Sequence, residues 1–475
     1  VNRKKENLIR MKVNIALLMV ALVGICSAGW ERTLGGSGND YGGAVLKTTD
    51  GGYVIGGSKE TSAYSGIYDA YLIKTNSSGI PVWSGTYGTS DYDYGCSIAT
   101  SLDGGYVIAG YTWASTRGYD FYLVKTNSSG SMLWSRTYGS SNHDFARSIA
   151  RTSDGGYIMA GYTFETDPYL NDIYVVKTNS SGDEIWNKTF SGSFNYVALS
   201  IIQTTDGGYI IAGYTDSLGA GEDDVYIIKT NSSGNIAWTR IIDLGSRDVA
   251  SSILQTTAGD YLITGSSESV GLGESDLFIL KLNSSGSTQW IKTYGGSDDD
   301  NGASISRTSD NGFIIVGSTQ SYGAGEYDVY LLKTNSSGDT LWTQTYGRIS
   351  NDYGTSVSQT SDGGYIIGGT TESFGSGGSD IYLIKVDAVG IVEWVNQKPR
   401  NLFISAYPNP FNSACRISAP ENAVVEIFDI NGRSIAEFDG GDRIWKPEAS
   451  VGGGVYLVRA KIGDKDITKR VVYLK

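Results

Sequence analysis

The stretch Asp154-Gly-Gly-Tyr-Ile-Met-Ala-Gly161 is one copy of a unit that the chain uses seven times. The Asp-Gly-Gly triplet, or a close variant, starts at Asp50, Asp103, Asp154, Asp206, Ala258, Asp310 and Asp362, at intervals of 53, 51, 52, 52, 52 and 52 residues. A tryptophan keeps the same beat: Trp30, Trp83, Trp134, Trp186, Trp238, Trp290, Trp342 and Trp394. Self-similarity at this period marks a repeat architecture, in which each copy is one supersecondary unit that buries its faces against its neighbours.

The third copy reads as four short strands. Residues 148–152 form strand a, Asp154-Gly-Gly turns the chain, and Tyr157 to Tyr162 form strand b. Asp172 to Thr178 form strand c, Asn179-Ser-Ser-Gly182 turns again, and Glu184 to Phe190 form strand d. Four antiparallel strands in about 52 residues predict a propeller blade, and seven copies predict an all-β, seven-bladed propeller over residues 29–398. A β-solenoid of the same period is the competing fold, but it needs capping segments. There are seven a–b–c sets and eight d-type strands. One reading places the Trp30 strand in the last blade, where it removes an open sheet edge. The Trp394 strand is then extra, or docks beside it, and the sequence leaves open which d-type strand closes the ring.

The turns carry the residues that such turns require. Positions 51, 104, 155, 207, 259 and 363 are glycine and position 311 is asparagine; the next position is glycine except at Asp260. These residues tolerate positive φ, and a two-residue primed hairpin needs it at both central positions. Strand c carries an aromatic followed by two apolar residues, such as Tyr71-Leu72-Ile73, as expected for a strand buried on both faces. Strand b carries Gly57, Gly110, Gly161, Gly213, Gly265, Gly317 and Gly369. A glycine in a strand marks the close approach of another group, here expected to be the strand-d tryptophan. Trp83, Trp134, Trp186, Trp238, Trp290 and Trp342 thus read as wedges between blades. The Gly-x-x-x-Trp element (Gly79 to Trp83, Gly130 to Trp134) resembles the tryptophan-docking motif of quinoprotein-type propellers. The resemblance implies packing, and no quinone cofactor is carried over.

Composition narrows the function. Sixty-four glycines, seven prolines and 33 tyrosines suit short strands and tight turns. A net charge of −13 argues against a nucleic-acid partner, which needs a basic surface. Three cysteines, far apart, give no disulfide framework. The single histidine, His143, rules out a multi-histidine metal site. At the N-terminus, basic residues precede an apolar run from Ile15 to Ile25 and then Cys26-Ser27-Ala28, the order of a secretory signal peptide. The run is too short for a membrane span, and no transmembrane segment is expected in the mature chain. Removing residues 1–28, with five basic and one acidic residue, takes the charge from −13 to −17.

The a–b and c–d turns share one face of the predicted ring. The b–c loops and the d–a connections share the other, where chemistry is expected. That face carries two rings of aspartate: Asp40, Asp93, Asp144, Asp248, Asp300 and Asp352, interrupted by Tyr196, and Asp69, Asp120, Asp172, Asp224, Asp276, Asp328 and Asp380. The bland reading is loop capping by side-chain to backbone hydrogen bonds. The sharper one is calcium, with the run Asp298-Asp299-Asp300 as the densest candidate. No other cofactor is expected. Ten residues after the turn marker stand Glu60, Trp113, Phe164, Asp216, Glu268, Gln320 and Glu372. Only blades two and three place aromatics there, and Tyr119 and Tyr169 lie in the same two loops. Trp113, Tyr119, Phe164 and Tyr169 are the candidate platform for a glycan or a partner protein.

After Trp394 the rhythm stops. Tyr407-Pro408-Asn409-Pro410-Phe411-Asn412 is followed by Val424 to Ile430, Asn431-Gly432-Arg433, Gly453 to Val458 and Arg470 to Lys475. These are short strands with an Asn-Gly hairpin signal, and a small immunoglobulin-like β-sandwich is expected over residues 399–475. The ordered motifs closely resemble the type A sorting domain of the type IX (Por) secretion system. The resemblance implies passage across the outer membrane of a Bacteroidetes-type bacterium through that machinery. Removal of the domain and attachment to surface lipopolysaccharide often accompany it. The repeats in turn look like glycine-rich propeller repeats of uncharacterised surface proteins. Together these readings predict an exported or cell-surface, non-catalytic binding module. The alternatives are an extracellular polysaccharide hydrolase or lyase, using paired carboxylates, and a purely structural surface protein.

Overall fold

The computed structural model describes residues 29–475 apart from 64, 115–117, 141, 165–169, 217–221, 393–403, 408, 449 and 463–464. The expected leader, Tyr169, Pro408 and the Trp394 strand lie outside the described residues. The chain divides into two units, residues 1–393 and 394–475.

The first unit contains seven four-stranded antiparallel sheets. In the third blade, strand a is Asp144–Arg151, strand b Tyr157–Phe164, strand c Asn171–Thr178 and strand d Glu184–Phe190, hydrogen-bonded in that order. Strands b and c are buried because a blade has another blade on each side. One core cluster joins Val107 and Leu123 of blade two to Met159 and Val176 of blade three, and the same mixing recurs round the ring. Apolar burial is therefore spent between blades, so no blade has a core of its own. Trp30–Leu34 pairs with Asp380–Val386 and supplies the fourth strand of the last blade, which closes the ring. Across every junction strand a meets strand a. The Ile149 N–H donates to Ser97 Oγ at 3.4 Å, and the Val45 N–H donates to Ser356 Oγ at 3.2 Å across the closing junction.

Two expectations about local geometry are corrected. The Asp-Gly-Gly turn is a three-residue loop: the Thr152 N–H donates to the Gly156 carbonyl at 2.9 Å, and the Gly155 N–H donates to the Thr152 carbonyl at 2.9 Å. This is a type I turn followed by one left-handed residue, and only the first glycine has positive φ, 83° at Gly155 and 64° at Asn311. The second glycine answers to crowding, since a Cβ on Gly156 would sit 2.1 Å from the Thr178 carbonyl oxygen. Nor do the tryptophans pack on the strand-b glycines. A Cβ on Gly161 would meet the Phe145 carbonyl oxygen of its own blade at 1.8 Å, beside the bulge between Ala146 and Ser148. The wedge lies elsewhere. Trp134 reaches the c–d turn of the next blade, where a Cβ on Gly182 would be 2.6 Å from the indole. The pairs Trp30–Gly79, Trp83–Gly130, Trp186–Gly234, Trp238–Gly286, Trp290–Gly338 and Trp342–Gly390 repeat this contact. The indoles also meet the first residue of the next strand b, as in Trp83–Tyr106 at 5.9 Å between centroids.

The second unit is a five-stranded sheet that curls round its own core. The long strand Cys415–Asp429 pairs with Ser434–Trp445, Gly454–Ile462 and the short Ser405–Tyr407; Lys465–Tyr473 completes the sheet. A register shift between Ala419 and Val424 marks the bend. Cys415, Ile417, Val425, Ile427, Val458 and Val471 fill the inside. The sorting-domain motif residues occupy definite places. Phe411 is buried, stacks on Tyr473 at 5.1 Å and leans on Trp445 at 5.3 Å. Asn409 accepts from the Val472 N–H at 2.8 Å and donates to the Arg470 carbonyl at 3.0 Å, while Pro410 is exposed. Gly432 takes φ 80° in a hairpin of the same kind as those in the blades, and Arg433 is exposed beside Asp429.

Candidate functional site

The turn face of the ring carries an ion pair in every blade. The penultimate residue of strand c is a lysine whose long side chain crosses to the a–b turn. Lys177 Nζ lies 2.9 Å from Asp154 Oδ2, and Lys74–Asp50, Lys125–Asp103, Lys229–Asp206, Lys333–Asp310 and Lys385–Asp362 repeat the pair. The lysines are buried and the aspartates are partly exposed. For Asp154, burial pushes the carboxyl up, but the Thr152 hydroxyl, Lys177 and the Gly156 N–H outweigh it and hold the group at about 2. Blade five lacks the marker aspartate. There Asp260, two residues on, pairs with Lys281 at 3.0 Å. This recurring lysine was missed in the sequence, although its period could have revealed it. On the same face, a cavity of about 520 Å³ lies among the a–b turns of blades one, six and seven, lined by Lys47, Arg307 and Gln359 among others.

The other face holds the two aspartate rings, and the structure brings them together. A strand-c aspartate of one blade and a strand-a aspartate of the next converge on a glycine between them. A Cβ on Gly139 would lie 2.2 Å from Asp120 Oδ1 and 2.6 Å from Asp144 Oδ2. Gly35, Gly88, Gly295 and Gly347 sit likewise between Asp380 and Asp40, Asp69 and Asp93, Asp276 and Asp300, and Asp328 and Asp352. One oxygen of the strand-a aspartate caps the connection before it. The Ser140 N–H donates to Asp144 Oδ2 at 2.7 Å, and the Gly296 N–H donates to Asp300 Oδ2 at 2.7 Å. Its other oxygen is buried without a hydrogen-bond partner at Asp40, Asp93, Asp144, Asp248, Asp300 and Asp352. Burial raises the carboxyls of Asp40, Asp69, Asp144 and Asp352, and the facing carboxylate pushes the same way.

The run Asp298-Asp299-Asp300 does not converge. Successive side chains of an extended segment point apart. Asp300 enters the ring, Asp299 accepts from the Tyr327 hydroxyl at 3.0 Å, and Asp298 is exposed. Among the described residues, three carboxylates gather instead at Asp224, Asp243 and Asp248.

The aromatic residues of blades two and three do meet. Trp113 packs edge-on to Tyr119 at 5.0 Å, and His143 lies 5.8 Å from both rings and 5.6 Å from Phe164. The Tyr119 N–H donates to His143 Nδ1 at 3.3 Å. Phe145 joins Phe164 at 5.5 Å and Tyr162 at 5.1 Å. Arg147 lies over the rings of Tyr111 and Tyr162 and donates to the Tyr162 hydroxyl at 3.1 Å. Stacked contacts Tyr111–Tyr94 and Tyr94–Tyr68, then Tyr68–Tyr41, carry the arc on into blade one. The rings are half-buried, and Tyr41 is exposed. The equivalents of Tyr41, Tyr94 and Phe145 are Val197, Val249 and Asn301 in blades four to six. Where blades one and four have Glu60 and Asp216 in place of Trp113 and Phe164, the carboxylates are tied to the preceding connection through the Asn39 and Asn195 N–H groups, each at 2.7 Å. The arc was only partly legible, because its members lie at several different offsets from the turn marker, on both sides of it.

Residues 405–474 match the family of secretion system C-terminal sorting domains. The curled sheet is such a domain, of the type IX system, and the chain is a secreted or cell-surface protein of a Bacteroidetes-type Gram-negative bacterium. The chain is similar to part of the regulatory protein FlaEY of Caulobacter vibrioides, 26% identical over 209 residues, 36% of this chain and 22% of that one. Among solved structures, PorZ, an essential surface component of the type IX secretion system of Porphyromonas gingivalis, is 14% identical with a TM-score of 0.45, over 90% of this chain and 59% of that one. A protein of unknown function from Dyadobacter fermentans is 10% identical with a TM-score of 0.45, over 76% of this chain and 99% of that one. The chain thus spans about a fifth of the curated relative it matches. Among the described residues no helix is long and apolar enough to cross a membrane.

Proposed function

We propose that the propeller is a non-catalytic binding module of the cell exterior, and that it takes a glycan or protein ligand on the aromatic arc of blades one to three. The observation that carries this reading is the cluster of Trp113, Tyr119 and Phe164 round His143 on the loop face. Half-buried rings keep apolar faces available to a sugar ring or an apolar side chain while losing little freedom on binding. The break in symmetry supports the same reading, since blades four to six put smaller or polar residues at these positions. The type IX machinery is the partner of the C-terminal domain in this account. Polymer hydrolysis or lysis is the weaker reading, because the paired carboxylates recur at six junctions and an active site is singular.

Screening the secreted full-length protein against glycans and extracellular matrix proteins tests the proposal. Saturable binding without turnover supports it. Cleavage of any retained polymer moves the assignment to the hydrolase or lyase reading.

A further inference from the structure

At one junction of the ring, between blades four and five, the aspartate pair becomes a triad. Five residues before each strand-a aspartate stands the glycine on which the two carboxylates converge: Gly35, Gly88, Gly139, Gly295 and Gly347. At the junction of blades three and four this position is Ser191, and Tyr196 replaces the strand-a aspartate. At the next junction it is Asp243. The residue that elsewhere only makes room here adds a third carboxylate.

We propose that Asp224, Asp243 and Asp248 bind a calcium ion. Carboxylate oxygens of the three lie within 4.8 Å of one another. Ligands about 2.4 Å from a common centre can be at most about twice that distance apart, so the grouping is compatible with one calcium ion. Asp224 and Asp248 are buried and Asp243 is exposed, which gives two fixed ligands and an entrance from solvent. The Asp248 side chain has no exposed surface; its Oδ2 accepts from the Leu244 N–H at 2.9 Å, while its Oδ1 has no hydrogen-bond partner. A carboxylate oxygen buried in that state is costly unless a cation or a proton satisfies it. The adjacent cation is engaged elsewhere, because Arg247 pairs with Asp223 at 2.8 Å. Three carboxylates, one of them open to solvent, match the all-oxygen shell that calcium prefers. This proposal is independent of the aromatic arc, since it rests on a different blade junction.

The experiment is a calorimetric titration of EDTA-treated full-length protein with calcium chloride, together with thermal melts in calcium and in EDTA. One site per chain and a melting temperature several degrees higher in calcium are expected. Asp243→Gly restores the residue found at five other junctions, so its fold should persist, and it should weaken calcium binding at least tenfold and abolish the shift. Asp243→Asn, which keeps the side-chain size, should weaken binding in the same direction. Absence of both heat and melting shift in the wild type overturns the proposal. So does calcium binding of unchanged affinity in both variants, which places the ion elsewhere.

Discussion

Lys177 Nζ lies 2.9 Å from Asp154 Oδ2 and 2.8 Å from the Thr178 carbonyl oxygen, so the ammonium at the end of strand c is neutralised by the turn between strands a and b. The Lys177 side chain is 3% exposed and that of Asp154 is 55% exposed. The two partners are therefore not equivalent. Asp154→Ala strands a buried ammonium and is expected to cost about 2–3 kcal/mol, below the usual range for breaking a fully buried pair because water reaches the turn. Lys177→Met removes the buried charge, leaves a solvated carboxylate and should cost less than about 1 kcal/mol. Urea unfolding of the two variants checks the order; equal losses would contradict the asymmetry.

Blade five tests the same pair by displacement. Asp260 holds Lys281 from the position that is glycine in the other blades. Asp260→Gly therefore brings the turn closer to its neighbours in sequence and yet should lower the melting temperature. Adding Ala258→Asp should recover most of the loss. A single variant as stable as wild type would show that the Lys281 pair is unimportant.

The two sets of carboxylates predict opposite responses to acid. Asp50, Asp103, Asp154, Asp206 and Asp310 are held down at about 2, so the stability they add is present above pH 4 and is lost as pH falls from about 4 towards 2. Asp40 and Asp352 are raised by burial, so their folded state binds protons more tightly than the unfolded chain. Their protonated forms favour folding at low pH, and that advantage disappears as pH rises through their folded values. Stability in EDTA should accordingly rise on mild acidification and fall steeply below pH 4. Asp352→Asn should flatten the rise and leave the fall. Midpoints of urea unfolding between pH 2 and 7 measure both limbs.

Trp238 bridges blade four to the c–d turn of blade five at Gly286, and its ring contacts Tyr261 of that next blade at 6.1 Å. Because the indole is half-buried, Trp238→Ala is expected to cost about 2–3 kcal/mol, less than a fully buried tryptophan. Gly286→Ala should be destabilising for two reasons, a φ of 80° and an indole 2.9 Å from the added methyl. Melting temperatures of both variants check the wedge, and wild-type values would remove it.

Period alone made the blade count and the strand order legible, whereas eight d-type strands for seven blades left the closing strand open until the pairing of Trp30–Leu34 with Asp380–Val386 decided it. Local geometry was harder. Asp-Gly-Gly reads equally well as a two-residue or a three-residue hairpin, because both use glycine, and only the hydrogen bond from Gly155 to Thr152 separates them. The tryptophan and the strand-b glycine share a period, yet a shared period does not imply contact, and Gly161 faces a carbonyl of its own blade. Asp243 was overlooked because the aspartate rings were counted ten residues from the marker, whereas it stands fifteen before Ala258. Pairing Asp224 with Asp248 needed the junction between blades, which lies outside any single repeat.

The most direct test of the account is quantitative binding of a ligand from the glycan and matrix-protein screen to the Trp113→Ala/Phe164→Ala double variant. Both side chains are half-buried on the loop face, so melting should change little. The account predicts a Kd raised at least tenfold with the fold intact. Binding of unchanged affinity would contradict it and place the ligand away from the aromatic arc.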